Sequence, residues 1–239
     1  MIQHVPFESL GKANHGWLRA NHHFSFARYY NPERMGFGSL RVINDDWVAP
    51  GTGFSPHPHK NMEIISFIRS GAVTHEDNQG NKGLTSAGEV QVMSAGTGIV
   101  HSEFNRSAEP LTLFQIWIEP NEINVKPRWD SKLFTAKATE AGLPLLVSGD
   151  PVDKDKALFI YQDARIYGGT LQAGHSTQVK IKHQAYVLAS KASVALSDGQ
   201  HQLILKEGDG ARVTEVNQLS ITALDESDAE VIVIDAPKN

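Results

Sequence analysis

The sequence predicts an all-β protein built from two fused β-domains, and three observations carry that expectation. Apolar runs of about five to ten residues recur along the chain, separated by Gly, Asn, Asp and Pro. The length of 239 residues is long for one small domain and comfortable for two. Residues 119–144 interrupt the rhythm with Pro120, Pro127, Pro144 and several charges, as a connection would.

Taken in order, strand signals fall at residues 40–48, 62–68, 90–93 and 111–118 in the first half. In the second half they fall at 158–161, 178–181, 185–188, 201–205, 219–224 and 230–234. Pro50-Gly51, the stretch 78–81, Asp198-Gly199 and the stretch 207–210 punctuate them as turns. A short helix is compatible with residues 130–141. The expected organisation is an N-terminal β-domain over 1–125, a linker over 126–144 and a C-terminal β-domain over 145–239, each a sandwich or a barrel.

Composition excludes several function classes. The formal charge is -5, with no cluster of Lys and Arg, so a nucleic-acid face is not expected. No run reaches the ~20 apolar residues of a membrane helix. The N-terminal residues lack the basic start and apolar stretch of a signal peptide, which makes the cytoplasm the expected compartment. The chain contains no cysteine. Thiolate nucleophiles, iron–sulfur clusters and Cys-type zinc sites are therefore excluded, and any metal must be held by nitrogen and oxygen.

Two segments carry chemistry. In Gly53-Phe-Ser-Pro-His57-Pro-His59, the histidines are two apart and share one face of a strand. Pro58 between them removes a backbone donor, which suits the edge or start of a strand. In Ser94-Ala-Gly96-Thr-Gly98-Ile-Val-His101-Ser-Glu103, the glycines fit a tight turn, and His101 and Glu103 repeat the same spacing on the returning strand. Two such pairs supply three imidazoles and one carboxylate, a mononuclear metal site with positions left for water or substrate.

Those segments resemble the two motifs of the cupin superfamily, and more closely those of the pirin family. The resemblance rests on His15-Gly-Trp17, the stretch 24–46, His57-Pro-His59-Lys-Asn-Met-Glu63-Ile64, the stretch 93–105 and Phe114-Gln-Ile-Trp-Ile-Glu-Pro120. It is specific over the first half and general over the second. It implies a bicupin: two tandem cupin-type barrels, jelly-roll-like double-stranded β-helices, with one iron-type site in the first. The family pattern assigns His57, His59, His101 and Glu103 as ligands. General cupins differ, having proline where Ser94 stands and using the glutamate of the first motif, here Glu63. Glu63 shares parity with His57 and His59 if the strand is unbroken; otherwise it is a structural carboxylate that holds a neighbouring group, and pattern favours the latter.

The remaining polar groups receive plainer readings. His4, His75, His175, His183 and His201 stand alone as surface or satisfied core histidines. Adjacent His22 and His23 point to opposite faces. Asp45-Asp46 reads as a solvated strand end, with active-site duty the lesser option, and Trp17, Phe24, Phe26, Tyr29 and Tyr30 as core and barrel mouth. The resemblance implies a divalent metal, Fe(II) first, with Mn, Co, Ni, Cu or Zn compatible with the donors. It further implies a flavonol-like substrate and dioxygen, cleaved by a quercetin 2,3-dioxygenase type of oxidoreductase that releases carbon monoxide, with Glu103 as ligand and base. The alternative it carries is a metal-dependent, redox-sensitive binding partner of a transcription regulator or metabolic enzyme.

Overall fold

The computed structural model describes residues 1–134, 137–140 and 142–238, and its regular structure is nearly all strand. Among the described residues the helical pieces are single 3-10 turns, at Phe7–Ser9, Pro32–Arg34 and Pro151–Asp153. The chain divides into two compact units. One comprises Gly11–Phe134 with Leu158–Gln162, and the other Met1–Leu10, Thr135–Ala157 and Asp163–Asn239. The first strand, β1 (Ile2–Val5), thus belongs with the C-terminal residues.

The unit that carries the site is a jelly roll of two antiparallel sheets rather than one closed barrel. Its larger sheet runs, side by side, β12 (Arg128–Leu133), β9 (Glu89–Ser94), β6 (Glu63–Ser70), β11 (Leu111–Ile118), β4 (Leu40–Val48), β3 (Leu18–His22) and β2 (Gly11–Asn14). Its smaller sheet runs β5 (Gly53–His59), β10 (Ile99–Phe104), β7 (Ala72–Asp77) and β8 (Lys82–Ser86). Alternation sorts side chains between the sheet faces. Val48, Ile68, Val73, Leu111 and Leu113 form one buried cluster; Ile64, Met93, Ala95 and Ile99 form another.

The expected helix around residues 130–141 is corrected over its described part. Arg128–Leu133 is a strand, paired with β9 from Arg128↔Ser94 to Leu133↔Glu89. Without it β9 would present an open edge, and pairing overrides a local helix preference. Residues 135, 136 and 141 of that stretch lie outside the described residues.

The other unit repeats the architecture. Alongside β1 lie β20 (Gly210–Val213), β17 (Gln184–Lys191), β22 (Ala229–Ala236), β15 (Arg165–Leu171) and β13 (Leu145–Ser148). Facing them are β16 (Ser176–Lys180), β21 (Gln218–Ala223), β18 (Val194–Ser197) and β19 (Gln202–Leu205). Val187, Leu196, Leu205, Val213, Leu219, Ile221, Val231 and Val233 fill the space between them, all fully buried.

Candidate metal centre

β5 is an edge strand, so Pro56 and Pro58 cost it no ladder partner on its open side. It pairs antiparallel with β10, and His57 faces His101 directly across the ladder. Between His101 and Glu103 the register slips, so that Ser55 and Pro56 together oppose Ser102. Such a bulge re-aims the side chains beside it. Gly53 starts β5 where it crosses β10 closely; a Cβ there would overlap the Glu103 and Phe104 backbone. The turn from β9 to β10 closes through Gly98 N–H donating to the Ala95 carbonyl, 2.9 Å, and holds Gly96 at φ +48°.

The result brings three imidazoles together. Ring centroids are 4.8 Å apart for His57–His59, 4.5 Å for His57–His101 and 5.0 Å for His59–His101. One ring nitrogen from each lies within 4.8 Å of the other two. His57 Nδ1 lies 2.8 Å from the Ser55 carbonyl, which makes Nδ1 the donor and leaves Nε2 as the ligand atom. His101 is buried, and its Nε2 has no hydrogen-bond partner among the described residues. Burial first, then the charge of His57, pushes His59 down to about 4. Burial and then His57, His59 and His75 push His101 far below its ordinary value. Neutral imidazoles with a buried, unpaired nitrogen are what a cation site requires, so the residues fit a metal.

Glu103 is buried beside them. Its Oε1 accepts from Gln91 Nε2 at 2.6 Å and its Oε2 from Gln115 Nε2 at 3.0 Å. Desolvation nevertheless raises it to about 7, the amides and Ser66 pulling the other way. By the same 4.8 Å measure its carboxylate groups with His101 and His75 rather than with His57 and His59.

His75 is a residue that the sequence reading set aside. It is fully buried on β7, opposite Glu103, and its ring stacks on Trp129 at 5.0 Å and 12°. Its Nε2 lies 2.9 Å from Asp77 Oδ2 and its Nδ1 lies 3.4 Å from His101 Nδ1. The signal was present in the sequence as His75-Glu-Asp77, the same two-residue spacing that marks the ligand pairs.

Glu63 does not join the group. The chain breaks between β5 and β6, and these strands lie in different sheets, so parity with His59 is lost. Ser94 Oγ donates to Glu63 Oε2 at 2.7 Å, and burial raises the carboxyl to about 7.

Asp46 corrects the reading of a solvated strand end. β4 continues to Val48 between β3 and β11, which leaves Asp46 2% exposed in the middle of a sheet. Burial raises it to about 8, with Asp45 and Glu103 adding to the effect. Asp45 points the other way and pairs with Arg69. Asp46 lines a cavity of about 530 Å³ that opens onto His57, His59 and Glu103. Asn44, Gln115 and His22 complete its polar wall, and Trp17, Phe26, Phe54 and Trp117 its aromatic one. Phe26 meets Trp117 edge to face at 5.4 Å, as mouth aromatics would.

His175, His183 and His201 each meet a partner of their own: the Ala173 carbonyl, Asp163 and Asp198 respectively. None belongs to a three-ligand group among the described residues. Among those residues no helix is long and apolar enough to cross a membrane.

Comparison with known proteins decides the family. The profile described as Pirin matches residues 5–118, and that of the quercetinase C-terminal cupin domain matches residues 145–236. A pirin-like protein of Caulobacter vibrioides is 49% identical over 99% of this chain and 100% of its own. The chain belongs to the pirin family. Among other pirins and their relatives, the quercetin 2,3-dioxygenase of Escherichia coli K12 is 41% identical over 95% of both chains. The crystal structure of the E. coli pirin YhhW in complex with nickel(II) superposes with a TM-score of 0.90 at 40% identity, covering all of both chains. The bicupin architecture expected from the motifs is therefore the fold of this chain.

Proposed function

We propose that this pirin is a metal-dependent dioxygenase that opens the central ring of a flavonol with dioxygen and releases carbon monoxide. The observation that carries the reading is the buried, unpaired His101 Nε2 grouped with His57 and His59, the latter two lining an aromatic-walled cavity. The name of the E. coli relative supplies the substrate class. His57, His59, His101 and Glu103 would hold one divalent ion, Fe(II) first. The nickel held by the YhhW relative fits the same nitrogen and oxygen donors.

A bound ion supplies Lewis acidity toward adjacent hydroxyl and carbonyl oxygens, together with redox chemistry toward dioxygen. The chain's own residues do the rest. Trp17, Phe54, Phe26 and Trp117 present flat apolar faces that clamp a planar ring and exclude water. The neutral Asp46 carboxyl donates a hydrogen bond to an oxygen of the bound ring. Glu103, buried beside the cavity, takes the hydroxyl proton at Oε2, the oxygen that accepts from the cavity-lining Gln115. A volume of about 530 Å³ suits a ligand of flavonol size.

The test is oxygen uptake on quercetin by protein reconstituted with Fe(II) or Ni(II), beside His101→Ala. The reading expects one ion per chain and steady uptake in the wild type, with at least a hundredfold loss of both metal affinity and turnover in the variant. One tightly held ion with no uptake on any flavonol would overturn the dioxygenase reading in favour of the binding-partner one.

A further inference from the structure

We propose that His75 and Asp77 form a positioning chain that fixes which ring nitrogen of His101 is offered to the metal; this rests on the reading of His101 as a ligand. The geometry runs in one line. Asp77 Oδ1 accepts backbone N–H bonds from Gln79 at 2.9 Å and Asn81 at 3.1 Å, and Oδ2 accepts from Asn81 Nδ2 at 2.9 Å. Those bonds pin the carboxylate, and His75 Nε2 donates to it at 2.9 Å. An imidazole that donates through Nε2 accepts through Nδ1 when neutral. The atom facing His75 Nδ1, at 3.4 Å, is His101 Nδ1. His101 therefore carries its proton on Nδ1, and its lone pair sits on Nε2, the atom left unpaired and buried.

The surroundings are built to hold this arrangement. The side chains of His75 and Asp77 are both fully shielded from solvent. Trp129 lies flat on the His75 ring, and it fits because Gly83, opposite His75 on β8, has no Cβ to overlap the indole. A competing role for His75 is ligation of a second ion, since its nitrogen, one of His101 and an oxygen of Glu103 lie within 4.8 Å of one another. That role needs a free lone pair. Both His75 nitrogens are already engaged, one with Asp77 and one with His101. Metal-ligating histidines commonly donate their second nitrogen to an orienting partner, and loss of such partners weakens binding by about 10- to 100-fold. Here the partner is a second histidine that a carboxylate orients in turn.

The experiment uses the full chain with nickel(II) as probe. Long-range proton–nitrogen NMR on histidine-labelled apoprotein reads the His101 tautomer directly and needs no variant; Nδ1–H is expected. His75→Phe keeps a ring on Trp129 but removes the acceptor. It is expected to lower nickel affinity by about 10- to 100-fold, measured by chelator competition, and to mix the His101 tautomers. His75→Gln, whose amide can accept from His101 and donate to Asp77, is expected to restore most of both. An Nε2–H tautomer in the wild type would overturn the proposal, as would wild-type nickel affinity in His75→Phe. So would a second equivalent of nickel in the wild type that His75→Phe abolishes. His101→Ala separates the two claims. If it keeps nickel, the ligand reading falls and takes the inference with it; if it loses nickel while His75→Phe does not, the inference alone falls.

Discussion

Asp46 sets a buried carboxyl on the cavity wall with Oδ1 lacking any hydrogen-bond partner among the described residues. A buried polar atom left unpaired carries a desolvation cost, which a bound ligand can relieve. Asp46→Leu should therefore raise the KM for quercetin about tenfold, equivalent to ~1.4 kcal/mol, while Asp46→Asn, which still donates, should stay near wild type. A wild-type KM in Asp46→Leu would remove this residue from substrate recognition. The sequence hid Asp46 because paired aspartates after an apolar run look like a strand end. Burial came from β3 and β11 on either side, which no local pattern encodes. His75 was hidden for a different reason: one histidine is weak evidence, and only its parity with Asp77 marked it. The grouping of His57, His59 and His101 was legible because the two histidine segments each carried a two-residue spacing and a framing glycine turn.

At the scale of elements, local pattern revealed strands and concealed partners. The strand runs at 40–48, 62–68 and 111–118 appear as β4, β6 and β11, with ends shifted by no more than two residues. The second part of β12 fell within the helix-compatible stretch 130–141 because it lacks strong alternation and gains its conformation from the edge of β9. β1 likewise gave no sign that it pairs with β20, since a ladder some 200 residues apart in sequence leaves no local trace (Ile2↔Val213). Asp209 reinforces that ladder, accepting from Phe7 N–H at 2.8 Å and Lys206 N–H at 2.9 Å and meeting His4 Nε2 at 2.9 Å. Burial pushes Asp209 up, but these hydrogen bonds together outweigh it and hold it below the ordinary carboxylate value. A depressed folded value means a contribution that is full above the unfolded pKa of about 3.9 and is lost as pH falls through the folded value. Thermal unfolding from pH 7 to pH 2.5 should show the wild type falling more steeply below about pH 4 than Asp209→Asn. Parallel profiles would show that the ion contributes nothing to the ladder.

For the whole molecule, two jelly-roll units share an architecture, while among the described residues the three-imidazole cluster lies in only one of them. The all-β class was legible from the spacing of strands and turns, and the bicupin plan from the resemblance of the two histidine segments to the pirin motifs. The division of the chain was less so, because Met1–Leu10 and Leu158–Gln162 each join the unit on the far side of the sequence boundary. The proposed single ion at His57, His59, His101 and Glu103 is tested most directly by anomalous diffraction at the metal edge from nickel- or iron-loaded crystals. The prediction is one peak per chain, within direct coordination distance of Nε2 of His57 and His101, of a ring nitrogen of His59 and of a Glu103 oxygen. A peak on His75, or a Glu103 carboxylate that stays bonded to Gln91 and Gln115 at a distance from the ion, would contradict it.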